Sequence, residues 1–241
     1  MNIHLLDTFE KTVSECAAKI AVVHNAQSIT FDELHKKSVC LGSHIVELTK
    51  GCVNTPIAVF LPKEIQTVVA DIGIMYSSNP FMNLDVKTPK ERIVNILNLI
   101  RPAAIITSSK FEKFFDGIEL PKILIDQLDF NSLPISISKL NQRKTQLIDT
   151  DPFCLINTSG STGTPKGVVL NHRSFFDFMA VSQEKFGFDG SEILGSLSPV
   201  VFDIFDFELC MLMMNGSQLV LLDAMLAAFP ARLLESLAAN H

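Results

Sequence analysis

Between Asn157 and Arg173 the chain reads Asn-Thr-Ser-Gly-Ser-Thr-Gly-Thr-Pro-Lys-Gly-Val-Val-Leu-Asn-His-Arg, and no other stretch narrows the fold as much. From Thr158 to Gly167 it holds five hydroxyl side chains, three glycines and one lysine, set between the apolar strand-like runs Phe153–Ile156 and Val168–Leu170. That composition suits a phosphate cradle. Gly160, Gly163 and Gly167 leave backbone N–H groups uncovered and permit positive φ, so the backbone can wrap an anion. Thr158, Ser159, Ser161, Thr162 and Thr164 add hydroxyl donors, Lys166 adds a mobile cation, and Pro165 stiffens the approach to it. A Walker loop would end in Gly-Lys-Ser/Thr, whereas here Pro165 precedes the lysine and Gly167 follows it. The dinucleotide fingerprint also fails, because the stretch contains no Gly-x-Gly. A solvated Ser/Gly linker is the bland alternative, but linkers seldom lie between two strands.

Strand-like and helical patterns alternate along the rest of the chain, which predicts an α/β fold with mainly parallel sheets flanked by helices. His4–Lys19 reads as a helix carrying Leu5, Leu6, Phe9, Val13 and Cys16 on one stripe. Strands follow at Ala21–His24 and Ser28–Phe31, then a helix over Asp32–Leu48 with Leu34, Val39, Leu41, Ile45 and Val46 as candidate core. Pro56–Leu61 is apolar throughout, as in a strand covered on both faces. A helix over Lys63–Tyr76, an extended stretch at Phe81–Leu84, a helix from Pro89 to Leu99, and strands at Ala103–Thr107 and Lys122–Asp126 continue the alternation. Asn131–Asp149 is polar and unpatterned, so a long loop or domain boundary is expected there. Ser174–Phe186 reads as a helix.

Bulk properties exclude several classes. At 47% apolar residues and mean hydropathy +0.30 the chain is expected to fold. Net charge −6 and the absence of a basic run argue against a nucleic-acid partner. Five scattered cysteines without metal spacing read as reduced thiols, and no metal site is expected from protein side chains. No apolar run reaches membrane-spanning length and the first residues lack a basic region, so a cytoplasmic protein is the expectation.

The Thr158–Gly167 loop resembles, position for position, the Thr-Ser-Gly-Ser-Thr-Gly-x-Pro-Lys-Gly signature of the adenylate-forming superfamily, which includes acyl-CoA synthetases, luciferases and nonribosomal-peptide adenylation domains. His172-Arg173 match the basic pair that usually follows. The resemblance implies that the loop binds the pyrophosphate end of ATP, with Mg2+, while a carboxylate attacks the α-phosphate to give an acyl-adenylate. Tyr76–Arg92 resembles a second family segment and keeps Leu84-Asp85, Pro89 and Arg92. It places Ser78 and Asn79 where two glycines are usual and Phe81 where a tyrosine is usual, departures expected to affect packing more than chemistry. His172 is read as structural and Arg92 as the partner of a helix-surface acid.

Val201-Phe-Asp-Ile-Phe-Asp-Phe-Glu208 resembles the family's Phe-Asp-x-Ser-x-x-Glu segment, with Phe205 in the serine position. In amino-acid-activating members this aspartate holds the substrate ammonium, so Asp203 becomes a substrate-binding candidate, with Ile204 and Phe207 facing the same pocket. A carboxylate gives an ammonium a charge-assisted partner; alternatively Asp203 caps the helix that follows. Asp206, one turn on, is either a second pocket acid or a solvated first-turn acid, and the helix dipole favours the latter.

The sequence contains no match to the family's later Tyr-Gly-x-Thr-Glu segment, its ribose-binding aspartate or the small C-terminal domain with its catalytic lysine. Residues 1–241 are therefore expected to be an incomplete N-terminal large domain, inactive alone, with Lys166 acting on the pyrophosphate side. The implied reaction is amino-acid activation followed by transfer to a thiol of a carrier protein or CoA. An acyl-CoA or aryl-acid ligase and a non-catalytic nucleotide- or partner-binding module are the alternatives.

Overall fold

The computed structural model describes residues 4–159 and 165–239. The predicted alternation holds. Among the described residues, ten strands form two sheets, and eight α-helices pack on and between them.

Helix α1 (Leu5–Cys16) leads to the antiparallel pair β1 (Ile20–His24) and β2 (Gln27–Thr30). Helix α2 (Phe31–Leu48) begins one residue earlier than its pattern suggests, because Thr30 and Glu33 form a reciprocal capping box that satisfies two terminal N–H groups. Strand β3 (Ile57–Val59), helix α3 (Ile65–Tyr76) and strand β4 (Phe81–Asn83) follow. Helix α4 spans Lys90–Ile100 with Pro89 as its extended N-cap rather than its first helical residue. Arg101 ends it at φ 53°, the left-handed conformation in which helices commonly terminate. Strand β5 is Ala104–Thr107 and β6 is Lys122–Leu124, shorter than expected because Ile125–Gln127 curls into a 3-10 turn.

The expected long loop is corrected by helix α5 (Ile137–Lys144). Only Leu140 of it is buried, too few apolar positions to make a readable stripe. Polar contacts hold it instead: Lys144 pairs with Asp7 and Glu10 at 2.9 and 2.8 Å, and Arg143 donates to the carbonyls of Cys52 and Ser77. Strands β7 (Pro152–Ser159) and β8 (Pro165–Asn171) are antiparallel and precede α6 (His172–Phe186). Strand β9 (Ile193–Ser196), helix α7 (Asp203–Asn215), strand β10 (Gln218–Leu221) and helix α8 (Pro230–Ala239) complete the described elements.

The larger sheet has the order β6-β5-β3-β4-β7-β8, parallel except for its last pair; the smaller is β2-β1-β10-β9. The main core joins both sheets through α1, α2, α3 and α7, and a second core lies under α4 on the far face of the larger sheet. Helices α2 and α3 approach closely because Gly42 faces Tyr76 and Gly73 faces Leu41. Ser78, in a glycine position of the family segment, has φ 62°, and Asn79 beside it hydrogen-bonds Thr55, Cys52 and Ser77. Those departures serve the turn between α3 and β4.

Candidate active site

The described residues of the Thr158–Gly167 run lie on the paired strands β7 and β8. Thr158 faces Lys166, Ser159 faces Pro165 and Asn157 faces Gly167 across β7 and β8. Gly160, Ser161, Thr162, Gly163 and Thr164 lie outside the described residues. At the root of the hairpin, Thr158 Oγ1 donates to the Lys166 carbonyl at 3.3 Å, while the Lys166 side chain is exposed and has no ion pair among the described residues. Gly167 needs correction: its φ is not positive. It is a strand residue, and a Cβ there would meet Ile100 of α4 at 3.1 Å, so close packing explains the glycine.

The hairpin is anchored behind Lys166. Arg173 bonds Asp149 through Nε and Nη2 at 2.8 and 2.6 Å, which commits its guanidinium to an ion pair. His172 is buried, with its ring 5.3 Å from that of His4 and 5.8 Å from that of Phe153. Burial, aided by His4, lowers its pKa to about 4, so it is a neutral structural histidine at pH 7. Arg92 is exposed and makes no ion pair among the described residues, contrary to expectation.

Asp203 is the first residue of α7, and the N-cap position belongs to Phe202. The capping alternative therefore fails. The Asp203 carboxylate is exposed and makes no hydrogen bond or ion pair among the described residues. Ile204 beside it is 57% exposed, and the half-buried Phe207 ring rests edge-on against Phe178 of α6 at 5.4 Å. Phe205 points the other way and is fully buried.

Asp206 is also corrected. Instead of a solvated acid it is 2% exposed, and it accepts a hydrogen bond from the Cys154 thiol at 3.5 Å. Asp206 shares a helical face with the buried Leu209, Cys210 and Met213, but Phe205, Met211 and Leu212 are buried as well, so the apolar pattern of the sequence leaves its phase open. The contact matters for assembly, since Cys154 lies in β7, the strand that ends at Ser159. Strand β7 pairs with β8, which carries the unpaired cation Lys166, and meets α7, which carries the unpaired anion Asp203, through the Cys154–Asp206 contact.

Sequence reasoning also missed Lys63. Its Nζ donates to the carbonyls of Ser196 and Ser198 at 2.8 and 3.1 Å, tying the segment after β3 to the segment that leads into α7. Burial lowers the Lys63 pKa, while the charges of Glu208 and Asp223 oppose the shift. Lys63 sits in a cleft of about 320 Å³ at the C-terminal ends of β1, β3, β4 and β10, with His24, Asp85, Lys87 and Asp223 among its walls. Ligands of open α/β sheets bind outside such strand ends.

The model of the AMP-binding enzyme family matches residues 9–241. The chain belongs to that family. It is 28% identical over 220 residues to the dimodular nonribosomal peptide synthase of Bacillus subtilis, covering 91% of this chain and 9% of that protein. It is 30% identical over 222 residues to novobiocin biosynthesis protein H of Streptomyces niveus, covering 90% of this chain and 37% of that one. The crystal structure of holo-AB3403, a four-domain nonribosomal peptide synthetase bound to AMP and glycine, superposes with a TM-score of 0.79 at 21% identity. That match takes in 98% of this chain and 17% of the synthetase, and it establishes a shared fold. The chain therefore spans well under half the length of these relatives. Among its described residues, no helix is long and apolar enough to cross a membrane, and no group of three or more His, Cys, Asp or Glu side chains is placed to hold a metal ion.

Proposed function

We propose that these residues form the N-terminal part of the large domain of an ATP-dependent ligase that converts an amino-acid carboxylate to an aminoacyl-adenylate. Pyrophosphate leaves, and the acyl group passes to the thiol of a carrier protein or CoA in the same cytoplasmic enzyme system. The observation that carries the reading is the unpaired Lys166 beside Thr158 at the root of a Ser/Thr/Gly hairpin. A free ammonium and hydroxyl donors fit the β- and γ-phosphates of ATP, and donors aimed at developing charge are often the largest catalytic contribution. Mg2+ enters as the counter-ion of ATP, neutralising phosphate charge when bound, and no described side chain is assigned to it. Thr158, Ser159, Gly160, Ser161, Thr162, Gly163, Thr164, Lys166 and Gly167 are the proposed phosphate site. Asp203, unpaired and exposed, is the proposed ammonium partner, with Ile204 and Phe207 beside it for a modest apolar side chain.

ATP–pyrophosphate exchange on the longest natural product carrying this sequence tests the proposal, with pooled amino acids set against their des-amino counterparts. Lys166→Ala should cut exchange at least tenfold without changing substrate preference. Asp203→Ala should lose the preference for amino over des-amino acids while keeping ATP dependence. Exchange with the des-amino pool alone would indicate an acyl-CoA or aryl-acid ligase, and silence with both would favour a non-catalytic binding module.

A further inference from the structure

Behind the first turn of α7 lies a buried polar seam that the proposed reaction does not use. Asp206 meets the Cys154 thiol of β7 at 3.5 Å. Nearby, the fully buried Asp71 of α3 accepts from Asn83 Nδ2 of β4 at 3.0 Å, and Oδ1 of both residues has no partner. The seam therefore joins four elements through the middle of the core. The titratable groups that act on Asp206 are Asp203 and Cys210 on its own helix, Cys154 on β7 and Asp71 on α3. No cation is among them.

We propose that Asp206, through its contact with Cys154, is a positioning residue that seats the first turn of α7 on β7 and so aims Asp203, Ile204 and Phe207 toward the substrate. The inference rests on the substrate role proposed for Asp203. Asp206 follows Asp203 by three residues and directly precedes Phe207, so displacement of this turn moves all three substrate-facing side chains. Burial raises the Asp206 pKa to about 7. Below that pH the carboxyl is neutral and the turn stays seated. Above it, a charge with no cationic partner lies in the core, and moving the turn toward water relieves it.

Two readouts test this. In the first, the protein is labelled with fluorinated phenylalanine, and the Phe207 resonance is assigned by its loss in Phe207→Leu. That resonance should titrate near pH 7 in the wild type and stay fixed in Asp206→Asn, which keeps an acceptor for the thiol but cannot ionise. In the second, the amino-acid KM of the longest natural product should rise by up to about 30-fold from pH 6 to 8.5 in the wild type. It should stay constant in Asp206→Asn, with the KM for ATP unaffected in both. Cys154→Ala, which removes the bridge, should shift the Phe207 resonance at every pH. A Phe207 resonance that does not titrate in the wild type, or that titrates equally in Asp206→Asn, overturns the positioning role. If Phe207 behaves as expected while exchange runs only with des-amino acids, the positioning role stands and the ammonium role of Asp203 falls.

Discussion

Replacing Phe205 with the serine usual at that position in the family segment should be severely destabilising here. Phe205 is fully buried in the main core, at the start of the helix that carries Asp203. Removing a buried phenylalanine side chain costs about 3–5 kcal/mol through lost transfer energy and the cavity left behind. A serine hydroxyl left without a partner adds about 1–3 kcal/mol. The sum, about 4–8 kcal/mol, is a large share of the stability of an ordinary domain, about 5–15 kcal/mol, and exceeds it at the marginal end. With a urea dependence of about 2–3 kcal/mol per molar, the midpoint should fall by about 1.3–4 M. Phe205→Leu, which keeps most of the volume, should cost about 1–2 kcal/mol. Urea unfolding followed by circular dichroism at pH 6.5 measures both. A Phe205→Ser variant within about 1 kcal/mol of wild type would refute the argument that this ring supports the helix.

Two further outcomes follow from buried positions. His172 stays neutral in the folded protein down to about pH 4 but protonates near 6.5 when unfolded, so stability is full above pH 6.5 and is lost as the pH falls toward 4. The loss should approach about 3 kcal/mol, and His172→Phe should flatten the acid limb of the stability profile. Gly42→Ala places a Cβ 2.6 Å from Tyr76 Cβ and 3.0 Å from the Gly73 carbonyl oxygen. The gain of about 1 kcal/mol in helix propensity should be outweighed by about 1–3 kcal/mol of overlap, so thermal unfolding should show net destabilisation. A stabilised Gly42→Ala would mean that α2 and α3 separate easily.

Residue order alone conveyed the succession of strands and helices, because two-fold and 3.6-fold apolar periodicities are local consequences of backbone geometry. The hydroxyl and glycine run between two strands was equally readable. Helix α5 was not, since one buried leucine leaves no periodicity and its anchors, Asp7, Glu10, Cys52 and Ser77, are remote in sequence. The sense of the β7–β8 pair, and with it the placing of Lys166 opposite Thr158, also required the assembled sheet. Gly167 illustrates the difference: its composition suited a turn, yet Ile100 of α4 is what limits it to glycine.

The sequence by itself determined which groups this protein can present, a run rich in hydroxyls and glycine with one lysine and an Asp at the start of a helix, because residue types fix charge, donors and acceptors. Only the tertiary structure decided which of two acids three residues apart faces water. Asp203 is left exposed and unpaired, whereas Asp206 is turned onto Cys154 in the core, 52 residues away in the chain. A helix offers both faces to such acids, and the choice between them is made by what packs behind it.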